Sequence, residues 1–148
     1  MHTFIIMKKG FTLIELLVVV AIIGLLLTLS VIALGTARER ERDQKRLTDL
    51  RSVQTELEEF FKQKNAYPVG NNVVLGTVSS SCLNADGWSP SGCSEAFLGI
   101  VPPDPGTGNY VYTSADGNAY AIAATLEGVA GNLHAGNILV TPSGIANQ

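Results

Sequence analysis

Lys8-Lys9-Gly10-Phe11-Thr12-Leu13-Ile14-Glu15 is the stretch on which the reading of this chain turns. A basic pair and a glycine stand directly before a long apolar run, and that run opens with one carboxylate, Glu15. From Leu16 to Ala37 there is no formal charge, and Leu, Ile and Val dominate. Such a segment is long enough to cross a bilayer as a helix. A carboxylate near one end of it is expensive in lipid and marks a paired, functional group; the plain alternative is an ordinary membrane anchor with a glutamate at the headgroup level.

Downstream, Leu47, Leu50, Val53, Leu57, Phe60 and Phe61 recur at steps of three or four, a helical stripe that predicts a packing face. Asp49, Arg51, Glu56, Glu58, Glu59 and Lys62 lie between them as a solvated face. No proline interrupts residues 11–64, so one helix of about 80 Å is expected. Asn65-Ala66-Tyr67-Pro68 ends it, since the residue before proline is pushed out of helical geometry. Gly24 and Gly35 are weak points, at roughly 1 kcal/mol each relative to alanine, and Gly24 equally suits close helix packing.

The second half reads as β. Val73-Val74-Leu75 is a short apolar run, and Ile138-Leu139-Val140 is a candidate last strand. Tyr110–Thr113 and Ala119–Thr125 flank Asp116-Gly117, a strong hairpin signal because both turn residues tolerate positive φ. Pro102-Pro103-Asp104-Pro105-Gly106 is an irregular connection.

The 148 residues carry a formal charge of −3 and are 46% hydrophobic, with much of that apolarity in the first quarter; this fits one anchored small domain. Beyond Lys64 there is no Lys or Arg, while Asp86, Glu95, Asp104, Asp116 and Glu127 remain. Such an acidic head lacks the footprint for nucleic acid, which rests on cationic neutralisation of phosphates. Basic residues cluster in Arg38-Glu39-Arg40-Glu41-Arg42-Asp43 and Lys45-Arg46, and by the positive-inside rule they would pull the C-terminal half into the cytoplasm.

Cys82 and Cys93 are the only cysteines, in a Ser/Gly/Asn-rich stretch around Trp88. An even count in an exported, loop-rich segment predicts a disulfide, two free thiols being the alternative. No metal-binding His pair, phosphate-cradling loop or nucleophile elbow is present, so neither catalytic residues, a metal nor a cofactor is expected, and the chain is not read as an enzyme. His134 and Asp116 are read as turn residues, as is Asp104.

Lys-Lys-Gly-Phe-Thr-Leu-Ile-Glu-Leu-Leu, residues 8–17, resembles the class III signal of type IV pilins and of type II secretion pseudopilins. The resemblance implies cleavage by prepilin peptidase between Gly10 and Phe11, N-methylation of Phe11, and an assembly role for Glu15. Loss of Lys8 and Lys9 would leave 8 basic against 13 acidic residues, −5. Translation from Met7 would give the compact leader Met7-Lys8-Lys9-Gly10. The implied fold is α+β and pilin-like: a long N-terminal helix, transmembrane then amphipathic, packed on a small antiparallel sheet. Its parts are a leader over 1–10, a membrane and assembly helix over 11–37, an amphipathic helix over 38–65 and a β-rich head over 66–148. The implied partners are other copies or other pilins, prepilin peptidase, the inner-membrane assembly platform and the bilayer. The chain would then be a single-pass protein of the cytoplasmic membrane with its head outside, and later part of an extracellular or periplasmic filament.

Ala66-Tyr67-Pro68 and Pro103-Asp104-Pro105-Gly106 with Tyr110 are similar to pilin and pseudopilin head patterns. Major pseudopilins add an aromatic after the second proline and an acidic calcium loop near the C-terminus. Here Gly106 follows the proline and residues 128–148 hold no carboxylate side chain, so that calcium site is not expected. A type IV pilus subunit is the leading reading and a type II secretion pseudopilin the second. A monomeric, signal-anchored binding module is the reading from another class, and absence of cleavage would favour it.

Overall fold

The computed structural model describes residues 10–90 and 92–148. Lys8, Lys9 and the alternative start Met7 lie outside the described residues. One helix, α1, covers Leu13–Lys64. It is followed by seven strands: β1 Gly70–Val74, β2 Cys82–Asn84, β3 Gly87–Ser89, β4 Val111–Ser114, β5 Ala121–Leu126, β6 Gly136–Thr141 and β7 Gly144–Asn147. The pilin-like α+β class read from the sequence is the class found. The chain divides into two units between Ala37 and Arg38.

In the first unit every large apolar side chain from Leu13 to Leu34 is exposed. The hydroxyls past Glu15 in this unit are bonded within the helix. Thr28 Oγ1 donates to the Leu25 carbonyl (2.7 Å), Ser30 Oγ to Leu26 (2.8 Å) and Thr36 Oγ1 to Ile32 (3.4 Å). With the backbone closed by the helix and the hydroxyls closed by its carbonyls, the segment is suited to a medium without water. It is long and apolar enough to cross a membrane.

In the second unit the predicted stripe faces inward: Leu47, Leu50, Val53, Leu57 and Phe60 are buried, and Phe61 packs beside them. They meet a five-stranded antiparallel sheet of order β1-β4-β5-β6-β7. Its inner row runs in register through Val73, Tyr112, Ile122, Val140 and Ile145. Tyr112, Ile122 and Val140 are fully buried, and the other two pack on the core. Asn65 ends α1 at φ 56°, donating its amide to the Phe61 carbonyl at 2.7 Å. Asparagine tolerates that left-handed conformation better than most residues.

The segment between β1 and β4 carries the β2–β3 hairpin, bridged to the following loop at Leu83 and Leu98. Cys82 and Cys93 are joined by a disulfide, with Cα atoms 6.4 Å apart. Gly76 (φ +74°) lies against Pro102 and Pro103, where a Cβ would come within 2.5 Å of the Pro103 nitrogen. Trp88 meets Tyr112 edge-on at 5.0 Å between ring centres, and Tyr112 donates its hydroxyl to the Pro68 carbonyl at 2.6 Å. Tyr67 packs between Phe61 and, edge-on, Tyr120 and donates to Glu58 at 3.0 Å. Burial, then Glu58, pushes the Tyr67 hydroxyl up to about 12.

Candidate functional site

The start of α1 brings together the residues that the sequence singled out. Gly10 and Phe11 stand ahead of the helix and are exposed, Phe11 at 79%. Thr12 caps the first turn. Its Oγ1 accepts the Glu15 amide at 3.3 Å, and Glu15 Oε2 accepts the Thr12 amide and hydroxyl at 3.4 Å each. This reciprocal pair is a capping box, and it places the carboxylate against the positive end of the helix dipole. Thr12 is thus a partner of Glu15 that the sequence reading passed over, although its Thr-x-x-Glu spacing was visible. Among the described residues, Thr12 is the hydrogen-bond partner of the Glu15 carboxylate and no cation pairs with it.

A second charged cluster lies in the head, built from the basic run past the apolar segment and from Asp104, read from the sequence as a turn residue. Asp43 and Arg46 point into the head, with side chains 0% and 3% exposed. The Arg46 guanidinium donates to Asp104 in a fork, Nε to Oδ2 at 2.8 Å and Nη2 to Oδ1 at 2.9 Å. Its Nη1 reaches Asp43 Oδ1 and Glu127 Oε1 at 2.7 Å each. Asp43 also accepts the amides of Glu127 (3.0 Å) and Gly128 (2.7 Å), serving backbone donors just past β5. Arg42 grips Glu127 from the rim. Asp104 does shape its turn, accepting the Gly106 amide at 2.7 Å, but its side chain is 1% exposed and bound to Arg46. The bare position at Gly106 follows from this cluster, because a Cβ there would lie 2.5 Å from Arg46 Nη2.

Titration follows the geometry. Arg42, then Arg46, hold the Glu127 carboxyl down at about 2. Burial pushes the Asp104 carboxyl up, yet Arg46 and the amides of Gly106 and Gly108 leave it below its ordinary value. Elsewhere, Asp116 accepts the Asn118 amide at 3.0 Å and forms a turn. His134 uses its backbone to bond Asn147. No group of three His, Cys, Asp or Glu side chains converges on a metal position among the described residues.

Residues 6–35 match the family described as the prokaryotic N-terminal methylation motif. The chain is 29% identical over 104 residues to type II secretion system core protein G of Escherichia coli (strain K12), covering 70% of each chain. It is 36% identical over 98 residues to core protein G of Pectobacterium carotovorum, covering 66% of this chain and 62% of the relative. It is 37% identical over 60 residues to the type IV major pilin protein PilA of Myxococcus xanthus, covering 40% of this chain and 27% of the relative. The chain thus carries the N-terminal methylation motif of prepilin-type proteins and is homologous to type II secretion core protein G and to the type IV pilin PilA. No solved structure gives a significant match. The matched region takes in the exposed Gly10-Phe11 pair, the capped Glu15 and the apolar first half of α1, whereas the buried Arg46 cluster lies beyond it.

Proposed function

We propose that this chain is a structural subunit of a type IV pilus-like filament, cleaved between Gly10 and Phe11 and N-methylated on Phe11 by prepilin peptidase. Residues 1–10 act as the leader, 11–37 as the membrane and assembly helix, and 38–148 as the extracytoplasmic part. The observation that carries this reading is an apolar helix exposed along its whole length whose one charged group, Glu15, sits five residues past the cleavage glycine. Hydrophobicity cannot set the axial register of helices packed in lipid, since every shift leaves apolar surface in an apolar medium. A buried carboxylate can, because an unpaired charge there costs several kcal/mol. Its partner in the assembled state is the amino group of Phe11 on an adjacent subunit, created only by cleavage.

The test is Glu15→Leu. The variant should insert, be cleaved and fold its head, with intact mass showing a chain that begins at N-methylated Phe11, yet yield few sheared fibres. Wild-type fibre yield would reduce Glu15 to an interfacial residue, and retention of residues before Phe11 in assembled material would refute the processing step.

The second reading, a pseudopilin of type II secretion, draws on the two core protein G relatives, whose similarity runs for 98 and 104 residues against 60 for the pilin. Long surface fibres favour the first reading. Short periplasmic assemblies with a loss of secretion on deletion favour the second.

A further inference from the structure

We infer that Arg46 is a built-in replacement for a bound divalent cation, so that the head keeps its fold and stability without calcium. The inference goes beyond the filament reading above and holds for a pilus or a pseudopilus subunit alike.

Asp43, Asp104 and Glu127 bring three carboxylates together from α1, from the connection before β4 and from the end of β5. Every one of their oxygens accepts an N–H. Asp43 Oδ1 takes Arg46 Nη1 at 2.7 Å and the Glu127 amide at 3.0 Å, and its Oδ2 takes the Gly128 amide at 2.7 Å. Asp104 Oδ1 takes Arg46 Nη2 at 2.9 Å and the Gly106 amide at 2.7 Å, and its Oδ2 takes Arg46 Nε at 2.8 Å. Glu127 Oε1 takes Arg42 Nε at 2.8 Å, and its Oε2 takes Arg42 Nη2.

Three carboxylates from three separate segments are the kind of set that calcium gathers, since it wants six to eight oxygens. The calcium ion of major pseudopilins nevertheless does not fit this head. Residues 128–148 offer no carboxylate side chain, and these three carboxylates already hold a donor on each oxygen. The place among them is filled by a guanidinium whose side chain is 3% exposed. Its planar fork grips Asp104 through Nε and Nη2 while Nη1 bridges Asp43 and Glu127, so one rigid cation ties all three segments. Arg42 and Arg46 together set two positive charges against three negative ones, the balance that one divalent ion would give. A bound ion stabilises a fold only in proportion to its concentration over its dissociation constant, whereas a side chain on α1 is always present.

The test is thermal unfolding of the full chain in detergent micelles, in calcium chloride and in excess chelator with potassium chloride at matched ionic strength. The wild-type Tm should be the same in both; a rise with calcium overturns the proposal. Arg46→Met vacates the guanidinium and leaves the three carboxylates. Calcium should then raise the Tm of this variant by roughly 4–8 °C over chelator, as an ion bound only by the native state does. Near-ultraviolet circular dichroism of Trp88 against Tyr112 reports whether the variant is folded in each medium. Folding recovered by calcium alone supports the replacement, and a variant that calcium does not stabilise, folded or not, overturns it.

Discussion

Arg46→Met should be among the most damaging single changes in the head. The guanidinium is the cation shared by Asp43, Asp104 and Glu127, and the first two side chains are 0% and 1% exposed. Removing one partner of a buried ion pair strands the other and costs roughly 3–5 kcal/mol. Here the lower end applies, because Asp43 keeps the amides of Glu127 and Gly128 and Asp104 keeps that of Gly106. About 3 kcal/mol is a large share of the 5–15 kcal/mol that holds a typical domain together. For a head of this size it corresponds to roughly 10–15 °C in Tm. The assay is thermal unfolding of the full chain in detergent micelles, followed by near-ultraviolet circular dichroism of Trp88 against Tyr112. Two variants sharpen it. Arg42→Met should do far less, because its pair with Glu127 is one third exposed on both sides. Asp104→Leu added to Arg46→Met should recover part of the loss by removing one stranded carboxylate. A loss for Arg46→Met below about 1 kcal/mol, the size of an exposed pair, would refute the reasoning.

Acid should act on the same cluster. Glu127 is held at about 2 from an ordinary value of 4.5, and Asp104 is lowered too, so their contribution is complete above the ordinary carboxylate range and is lost as pH falls through the depressed values. The urea midpoint should therefore drop on going from about pH 6 to about pH 3; an unchanged midpoint would mean that these pairs add nothing. Thiol labelling of denatured, unreduced protein should find no free cysteine, and Cys93→Ser should lose about 3 kcal/mol, the chain-entropy value for a loop with 11 residues of separation. Quantitative labelling of both thiols would reject the bridge.

The sequence made the long helix legible because its cues are local: an apolar run without proline, then a stripe at helical spacing, then Asn65 and Pro68. The β4–β5 hairpin was equally visible through Asp116-Gly117. The β2–β3 hairpin was not, since three-residue strands are too short to show a period of two. β7 was missed for a similar reason, its Gly-Ile-Ala-Asn offering weak strand propensity. The Arg46 cluster was illegible in principle. Asp43 and Arg46 stand three apart on α1, but the other pairs join residues 58 to 85 positions apart, and no spacing rule connects Arg46 to Asp104 or Asp43 to Gly128.

That cluster also bears on the conflict over orientation. Counted as bare charges, the arginines after the apolar run outnumber Lys8 and Lys9 and would draw the head into the cytoplasm. Two of them have another reason to be where they are. Arg46 is buried among three carboxylates, Arg42 is tied to Glu127, and Lys45 pairs with Asp49 on the helix surface. The acidic residues that these arginines serve, Asp104 and Glu127, belong to a head with no cation of its own beyond Lys64. A head built from acidic loops must borrow its cations from the helix on which it packs, and the first turns of that helix past the apolar run are where Asp43, Asp104 and Glu127 converge. Arg42 and Arg46 are therefore held at these positions by the fold of the head, a reason for part of the basic excess that is independent of membrane orientation.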